Sequence, residues 1–183
     1  MILPNDVNEN TTLFLDRDGV INVRPIDSYV FNPNEFVFID GVLEAINVFS
    51  KIFSHIIVVT NQQGIGKNLM TMDDAKRIHY YMMDEISKAG GRIDDVFVAP
   101  QLKHEQSNMR KPNIGMGLKA KERFPNIDFE NSVMVGDTVT DISFGKKLKM
   151  TTVAVGTDYK HVFNLSHADY CFDSLLTMSK IFI

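Results

Sequence analysis

The stretch "TTLFLDRDGVIN", residues 11–22, runs a short apolar segment, Leu13-Phe14-Leu15, straight into two aspartates one residue apart, Asp16 and Asp18. A carboxylate at the end of a buried segment is costly unless it is paired or bound to a metal. The rest of the chain therefore has to supply partners for both. Consecutive apolar residues of this kind are expected of a strand buried on both faces. Four more runs share the pattern: "IIVV" at 56–59, "VFVA" at 96–99, "VMV" at 133–135 and "TVAV" at 152–155.

Helical patterns lie between these runs. In residues 40–53, Val42, Ile46, Phe49 and Phe53 recur at helical spacing, with Asp40 as the expected cap. In residues 71–91, Thr71 and Asp74 make a capping-box signature, Ile78, Met82 and Ile86 form a stripe, and Gly90-Gly91 ends it. Residues 113–124 and 138–148 are further expected helices. Strands alternating with helices predict an α/β fold, a central parallel sheet covered on both faces. The short segment after the first strand and the modest loop at 100–112 leave no room for a separate cap domain. The expectation is one three-layer Rossmann-like domain over residues 1–183. Its tail, residues 158–183, is expected to add an edge strand and a last helix packed by Leu175, Leu176 and Ile181.

The bulk numbers agree. A chain of 183 residues that is 44% hydrophobic and 23% charged suits one domain with a full core. Nineteen basic against 23 acidic residues give a net charge of -4, and no Lys/Arg-rich run is present. That argues against nucleic-acid and anionic-membrane partners. A single cysteine, Cys171, excludes a disulfide within the chain and makes a cysteine-based zinc site unexpected. The opening residues "MILPNDVNEN" lack the pattern of a secretory signal, and no apolar run nears the roughly 20 residues that span a bilayer. A cytoplasmic setting is expected. Nothing in the sequence sets an oligomeric state.

In a parallel sheet, ligands bind outside the carboxyl ends of the strands. Here those ends carry "DRDG" (16–19), "TNQQG" (60–64), "MRKP" (109–112, after a loop) and "GDTVTD" (136–141). Asp16, Asp18 and Asp137 are oxygen donors suited to a hard cation, for phosphate chemistry magnesium. Such an ion offsets the repulsion between carboxylates on one rim. Lys111 and Thr60 can hold phosphoryl oxygens. A central carboxylate can act as nucleophile, and a second can protonate the leaving oxygen and then activate water.

The ordered set, D-x-D at 16–18, Thr60, the lysine of "RKP" and G-D-x-x-x-D at 136–141, resembles the four motifs of haloacid dehalogenase-like phosphatases. "FLDRDGVIN", "FIDGVLEAI", "VVTNQQGIG", "MRKPNIGM" and "MVGDTVTDI" resemble the capless branch that includes heptose 1,7-bisphosphate and histidinol-phosphate phosphatases. The resemblance covers residues 12–157. It implies Asp16 as nucleophile, Asp18 as general acid/base, and magnesium held by the Asp16 carboxylate, the Asp18 main-chain carbonyl and Asp137. It implies Thr60, Asn61 and Lys111 on the phosphate, Arg110 on the substrate, and Asp141 supporting Lys111 or the ion's outer shell. The substrate class is a small phosphorylated metabolite: a heptose bisphosphate or similar sugar phosphate first, histidinol phosphate second. "DTVTDI" leans to the latter.

One departure stands out. Members of the branch commonly carry a zinc loop, Cys-x-His then Cys-x-Cys, before Arg-Lys-Pro. Aligned on Arg110 and Lys111, those positions are Ala99, Gln101, Ser107 and Met109, and His104 alone cannot replace the set. No structural zinc is expected, and substrate choice is where the loss should tell.

Blander readings stand beside these. Thr60 and Asn61 suit a turn, and Arg110 could be an ordinary surface arginine. Asn22 and Tyr29 could line the entrance or simply pack the loop. His55, His79, His104, His161 and His167 are not arranged as ligands and are expected on the surface or in the core. Met70, Met72, Met82 and Met83 are expected to fill core. Gly64 and Gly66 only faintly resemble a phosphate-cradling loop. A non-catalytic phosphosugar-binding module would keep the fold but has no need of Asp18. A phosphatase of nucleic-acid ends would want a basic track beside the site.

Overall fold

Six parallel strands form one sheet in the order β3-β2-β1-β4-β5-β6. They are β1 (Thr12–Leu15), β2 (His55–Asn61), β3 (Asp95–Ala99), β4 (Ser132–Gly136), β5 (Thr151–Ala154) and β6 (Tyr170–Cys171). The structure is a computed structural model that describes residues 7, 8, 10–156 and 158–183. Most of the opening stretch read for a signal lies outside the described residues, as does Thr157 at the end of the motif-bearing part. All five apolar runs are strands.

The helices are α1 (Val42–Phe49), α2 (Gln63–Gly66), α3 (Met72–Lys88), α4 (Gly115–Arg123), α5 (Val139–Lys147), α6 (Tyr159–Ser166) and α7 (Leu175–Ser179). Successive strand residues point to opposite faces, and the burial follows that rule. Leu13 and Leu15 of β1, with Ile56, Val58, Val133 and Val135, pack under α1, α3 and α7. Phe14, Ile57, Val59 and Met134 pack under α4 and α5 on the other face. Most of these side chains are fully buried, each worth about 1.5–3 kcal/mol relative to exposure. β1 lies at the centre, with Leu13 opposite both Ile56 and Val133. The D-x-D segment therefore emerges in the middle of the rim.

One local expectation needs correction. Asp40 does not cap α1. It is exposed, and the cap position falls on Gly41 at φ 77°, where a Cβ would lie 2.5 Å from Leu176 Cδ2 of α7. The helix is entered through a left-handed residue, a backbone state that glycine adopts freely, and the tail packs onto that turn where a side chain would sit. Gly64 and Gly66, only faintly like a phosphate cradle in sequence, lie in a short helix. A Cβ on Gly66 would meet the Pro100 carbonyl at 2.5 Å. By contrast, Thr71 and Asp74 form the expected capping box at α3. The tail supplies β6 and α7, with Leu175 and Met178 buried and Leu176 and Ile181 half-buried. It also contains α6, which the sequence patterns had not marked. Met70 and Met82 are buried as core filling, while Met72 is exposed. Among the described residues no separate cap domain interrupts the fold, and no helix is long and apolar enough to cross a membrane.

Candidate active site

Past Leu15 the chain leaves the sheet, and Asp16 still donates its N–H to Val135 O at 3.0 Å. The turn closes through Gly19, whose N–H donates to Asn22 O at 2.7 Å. Gly19 has φ 91°, and a Cβ there would sit 1.9 Å from Asp137 Oδ2. A side chain at this position would collide with the rim.

Asp16 is buried against Lys111. The Lys111 Nζ donates to Asp16 Oδ1 at 2.8 Å and to Val59 O at 2.6 Å, and lies 2.6 Å from Asp141 Oδ1. Its three protons are thus all engaged. Asp141, in the first turn of α5, also accepts at Oδ2 from Thr138 N (3.0 Å) and Oγ1 (2.5 Å). It therefore ties the lysine to the helix start. Burial pushes the Asp16 carboxyl up to about 6, with Lys111 opposing and Asp141 and Asp18 adding to the rise. Burial works against the Lys111 charge, but Asp141 and Asp16 carry its pKa above the ordinary lysine value. Asn61 fixes the lysine's backbone from both sides: Lys111 N donates to Asn61 Oδ1 (3.0 Å), and Asn61 Nδ2 donates to Lys111 O (3.2 Å).

Asp18 has a different shell. Arg17 Nη2 donates to both its oxygens at 2.7 and 2.9 Å, Asn22 Nδ2 to Oδ1 at 2.9 Å, and Gln62 Nε2 to Oδ2 at 2.7 Å. Burial would raise this carboxyl, but the Arg17 charge and these hydrogen bonds hold it below the usual carboxylate range. Arg17 is fully buried and also faces His79 Nε2 at 3.1 Å. Burial, and then Arg17, push His79 down to about 3. The imidazole is therefore neutral and accepts from the guanidinium. Gln62 also donates to the buried Thr60 hydroxyl at 2.9 Å, which links Thr60 to Asp18.

The third group is Asp137 with Arg24. The Arg24 Nη2 donates to the Asp18 carbonyl at 2.6 Å and to Asp137 Oδ1 and Oδ2 at 2.8 and 2.9 Å, and lies 3.6 Å from Asp16 Oδ2. Burial, then Asp16 and Asp141, push Asp137 up to about 7 against Arg24. Oxygen atoms of Asp16, Asp137 and Asp141 lie within 4.8 Å of one another. The expected ligands (Asp16, the Asp18 carbonyl and Asp137) thus converge on one point, marked by a cationic nitrogen. An all-oxygen donor set fits magnesium.

These groups open onto a cleft of about 590 Å³ whose lining includes Asp16, Asp18, Asn61, Arg110, Lys111 and Asp141. Tyr29, Lys67 and Lys103 also line it. Asn22 is fully buried behind Asp18 and does not line the entrance, because its amide is drawn to that carboxylate. Arg110 reaches the cleft while donating to Gln101 O at 3.0 Å. At the positions aligned with the zinc loop that the resemblance implied, Gln101 makes that contact and Ser107 Oγ accepts from Met109 N at 3.1 Å. Sequence reasoning missed Arg17, Arg24 and Gln62. The middle residue of D-x-D and the glutamine of "TNQQG" are adjacent to the motifs and could have been read. Arg24 lies on an irregular loop that carries no signal.

The family model described as "HAD-hyrolase-like" matches residues 108–178. The chain is 39% identical over 156 residues to the D-glycero-alpha-D-manno-heptose-1,7-bisphosphate 7-phosphatase of Burkholderia mallei, covering 81% of this chain and 78% of that one. It is 33% identical over 182 residues to the D-glycero-beta-D-manno-heptose-1,7-bisphosphate 7-phosphatase of Haemophilus influenzae, covering 94% and 96%. The D,D-heptose 1,7-bisphosphate phosphatase of B. bronchiseptica, solved with magnesium and phosphate, shares the fold at a TM-score of 0.84 and 23% identity, over 93% of this chain and 96% of that one. With relatives this similar over most of both chains, and the motif residues gathered on one rim, the chain belongs to the haloacid dehalogenase-like phosphatases, in the branch that contains the heptose 1,7-bisphosphate 7-phosphatases.

Proposed function

We propose that this chain is a magnesium-dependent phosphatase that removes the 7-phosphate of a heptose 1,7-bisphosphate through an aspartyl-phosphate on Asp16. The observation that carries the reading is the Asp16 carboxylate, one oxygen on Lys111 and the other turned to the point shared by Asp137 and the Asp18 carbonyl. The names of the relatives supply the substrate and favour it over histidinol phosphate.

In this mechanism Asp16 attacks phosphorus while the ester oxygen departs, taking a proton from Asp18. Asp18 is ionised in its Arg17 shell. The negative phosphate beside it raises its pKa, as any like charge does, and so favours the protonated form. Asp18 then removes a proton from water, which attacks the phosphorus, frees inorganic phosphate and restores Asp16. Lys111, its protons held by Asp16, Asp141 and the Val59 carbonyl, sets a positive charge beside the transferring phosphoryl group, and Asn61 has a second amide proton for a phosphoryl oxygen. Thr60 accepts from Gln62 and so keeps its own hydroxyl proton to donate. Magnesium, when held by Asp16, the Asp18 carbonyl and Asp137, would neutralise charge on the transferring group. Asp141 orients Lys111, and Arg110 meets the remainder of the substrate from the cleft wall.

The test is phosphate release from both anomers of the heptose bisphosphate, histidinol phosphate and a generic aryl phosphate, with magnesium and with EDTA. Release from a heptose ester above all others, lost in EDTA, is expected. Faster release from histidinol phosphate would replace the substrate, and turnover that survives EDTA would remove the metal.

A further inference from the structure

The D-x-D rim gathers four carboxylates (Asp16, Asp18, Asp137 and Asp141) against three cations, Lys111, Arg17 and Arg24. Two of those cations are locked in, since the Lys111 and Arg17 side chains are each 1% exposed. Arg24 is different. Its side chain is 48% exposed, on the loop that leads to Pro25 and the exposed Ile26. Its Nη2 nevertheless occupies the point where the Asp18 carbonyl, both Asp137 oxygens and Asp16 Oδ2 converge.

We infer that Arg24 is the resident cation of this site in the metal-free chain, and that the divalent ion enters by exchange with its guanidinium. This rests on the reading of Asp16, the Asp18 carbonyl and Asp137 as metal ligands. A magnesium ion sits about 2.0–2.1 Å from its oxygen ligands. An ion bound to these oxygens would overlap the guanidinium nitrogen, so both cannot be present. The charge favours a swap rather than an addition. With Arg24 gone and a divalent ion in place, Lys111, Arg17 and the ion balance the four carboxylates. With nothing in its place, two positive charges face four negative ones in a largely buried site. Arg24 thus keeps the metal-free rim assembled, and by competing it weakens the apparent metal affinity.

The test is titration of the folded, metal-free protein and its Arg24→Gln and Arg24→Lys variants with magnesium, followed by calorimetry, with melting temperatures recorded without and with the ion. R24Q is expected to bind magnesium at least about tenfold more tightly than the parent. It should also melt lower without metal and show the larger metal-induced rise. R24K, which keeps the charge but loses the second contact that Arg24 Nε makes to Asp137, should fall between. In the parent chain, saturating magnesium should speed modification of Arg24 by phenylglyoxal, a readout that stands even if R24Q does not fold. Equal or weaker magnesium binding by folded R24Q, or Arg24 reactivity unchanged by magnesium, would overturn the exchange and leave the phosphatase reading intact. Absence of magnesium binding by every form would overturn the ligand assignment itself and the exchange with it.

Discussion

Asp16 and Asp18 leave the same strand end with one residue between them, and their surroundings drive them to opposite electrostatic states. Asp16 shares its cation: Lys111 divides its three protons among Asp16, Asp141 and the Val59 carbonyl. Burial therefore wins, and the carboxyl rises to about 6. Asp18 has the Arg17 fork almost to itself, with Asn22 and Gln62 added, and it falls below the usual range. Burial alone does not set the state of a carboxylate. How many other acceptors its cation must serve decides the outcome. The less satisfied group, Asp16, is the one proposed as nucleophile and metal ligand, and the saturated one, Asp18, is the one proposed as acid and then base.

The largest test of this contrast is Asp16→Asn. Turnover should fall by about 10⁴-fold while circular dichroism and melting remain close to the parent. A variant that keeps its rate would leave Asp16 without its role as nucleophile. Lys111→Met removes the shared cation and strands Asp16 and Asp141 together in the interior. Breaking a buried pair in this way costs about 3–5 kcal/mol, readable as a lower urea midpoint, together with loss of activity. A stability loss below about 1 kcal/mol would mean that the two acids are better hydrated than their burial suggests.

His79 reports on the Asp18 side. It titrates at about 3 in the fold against 6.5 for an ordinary histidine. Between those values the unfolded chain takes up a proton that the folded chain refuses. This contribution to stability is therefore complete above pH 6.5 and is lost as pH falls toward 3. His79→Gln keeps an acceptor for Arg17 and gains no proton. Its unfolding free energy should decline less steeply over that window, by on the order of 2 kcal/mol at the acid end. Parallel pH profiles for parent and variant would remove the neutral-imidazole assignment. Smallest is Arg110→Ala, outside both carboxylate shells. KM should rise roughly tenfold with kcat within about threefold, the pattern of lost ground-state binding. A drop in kcat at unchanged KM would put Arg110 on the reacting phosphate instead.

Much of this molecule could be read along the chain because the signals are local. β1 through β5 are consecutive apolar residues, and α3 carries its own capping box and stripe, so neighbours in sequence suffice. Other features escaped because their cause lies far away. Gly41, not Asp40, stands at the cap position of α1, and the space a side chain would need there is taken by Leu176, 135 residues on. The "QQGIG" helix forms against glycine's poor helix propensity, with Gly66 N donating to Pro100 O at 3.2 Å. The second partners of the rim are equally remote. Gln62 meets Asp18 across 44 residues, His79 meets Arg17 across 62, and Arg24 meets Asp137 across 113.

By itself the sequence determined the parallel α/β architecture and which chemical groups stand at the strand ends. Strand periodicity, helix caps and the order of short motifs are properties of neighbouring residues, and a parallel sheet carries all strand ends to one rim. Only the tertiary structure decided which cation serves which carboxylate. That choice depends on distances between side chains far apart in the chain, and in a buried site those distances fix which acid is raised and which is lowered. It put Lys111 between two acids, gave Arg17 to Asp18, and set an exposed arginine on the oxygens expected to hold a metal.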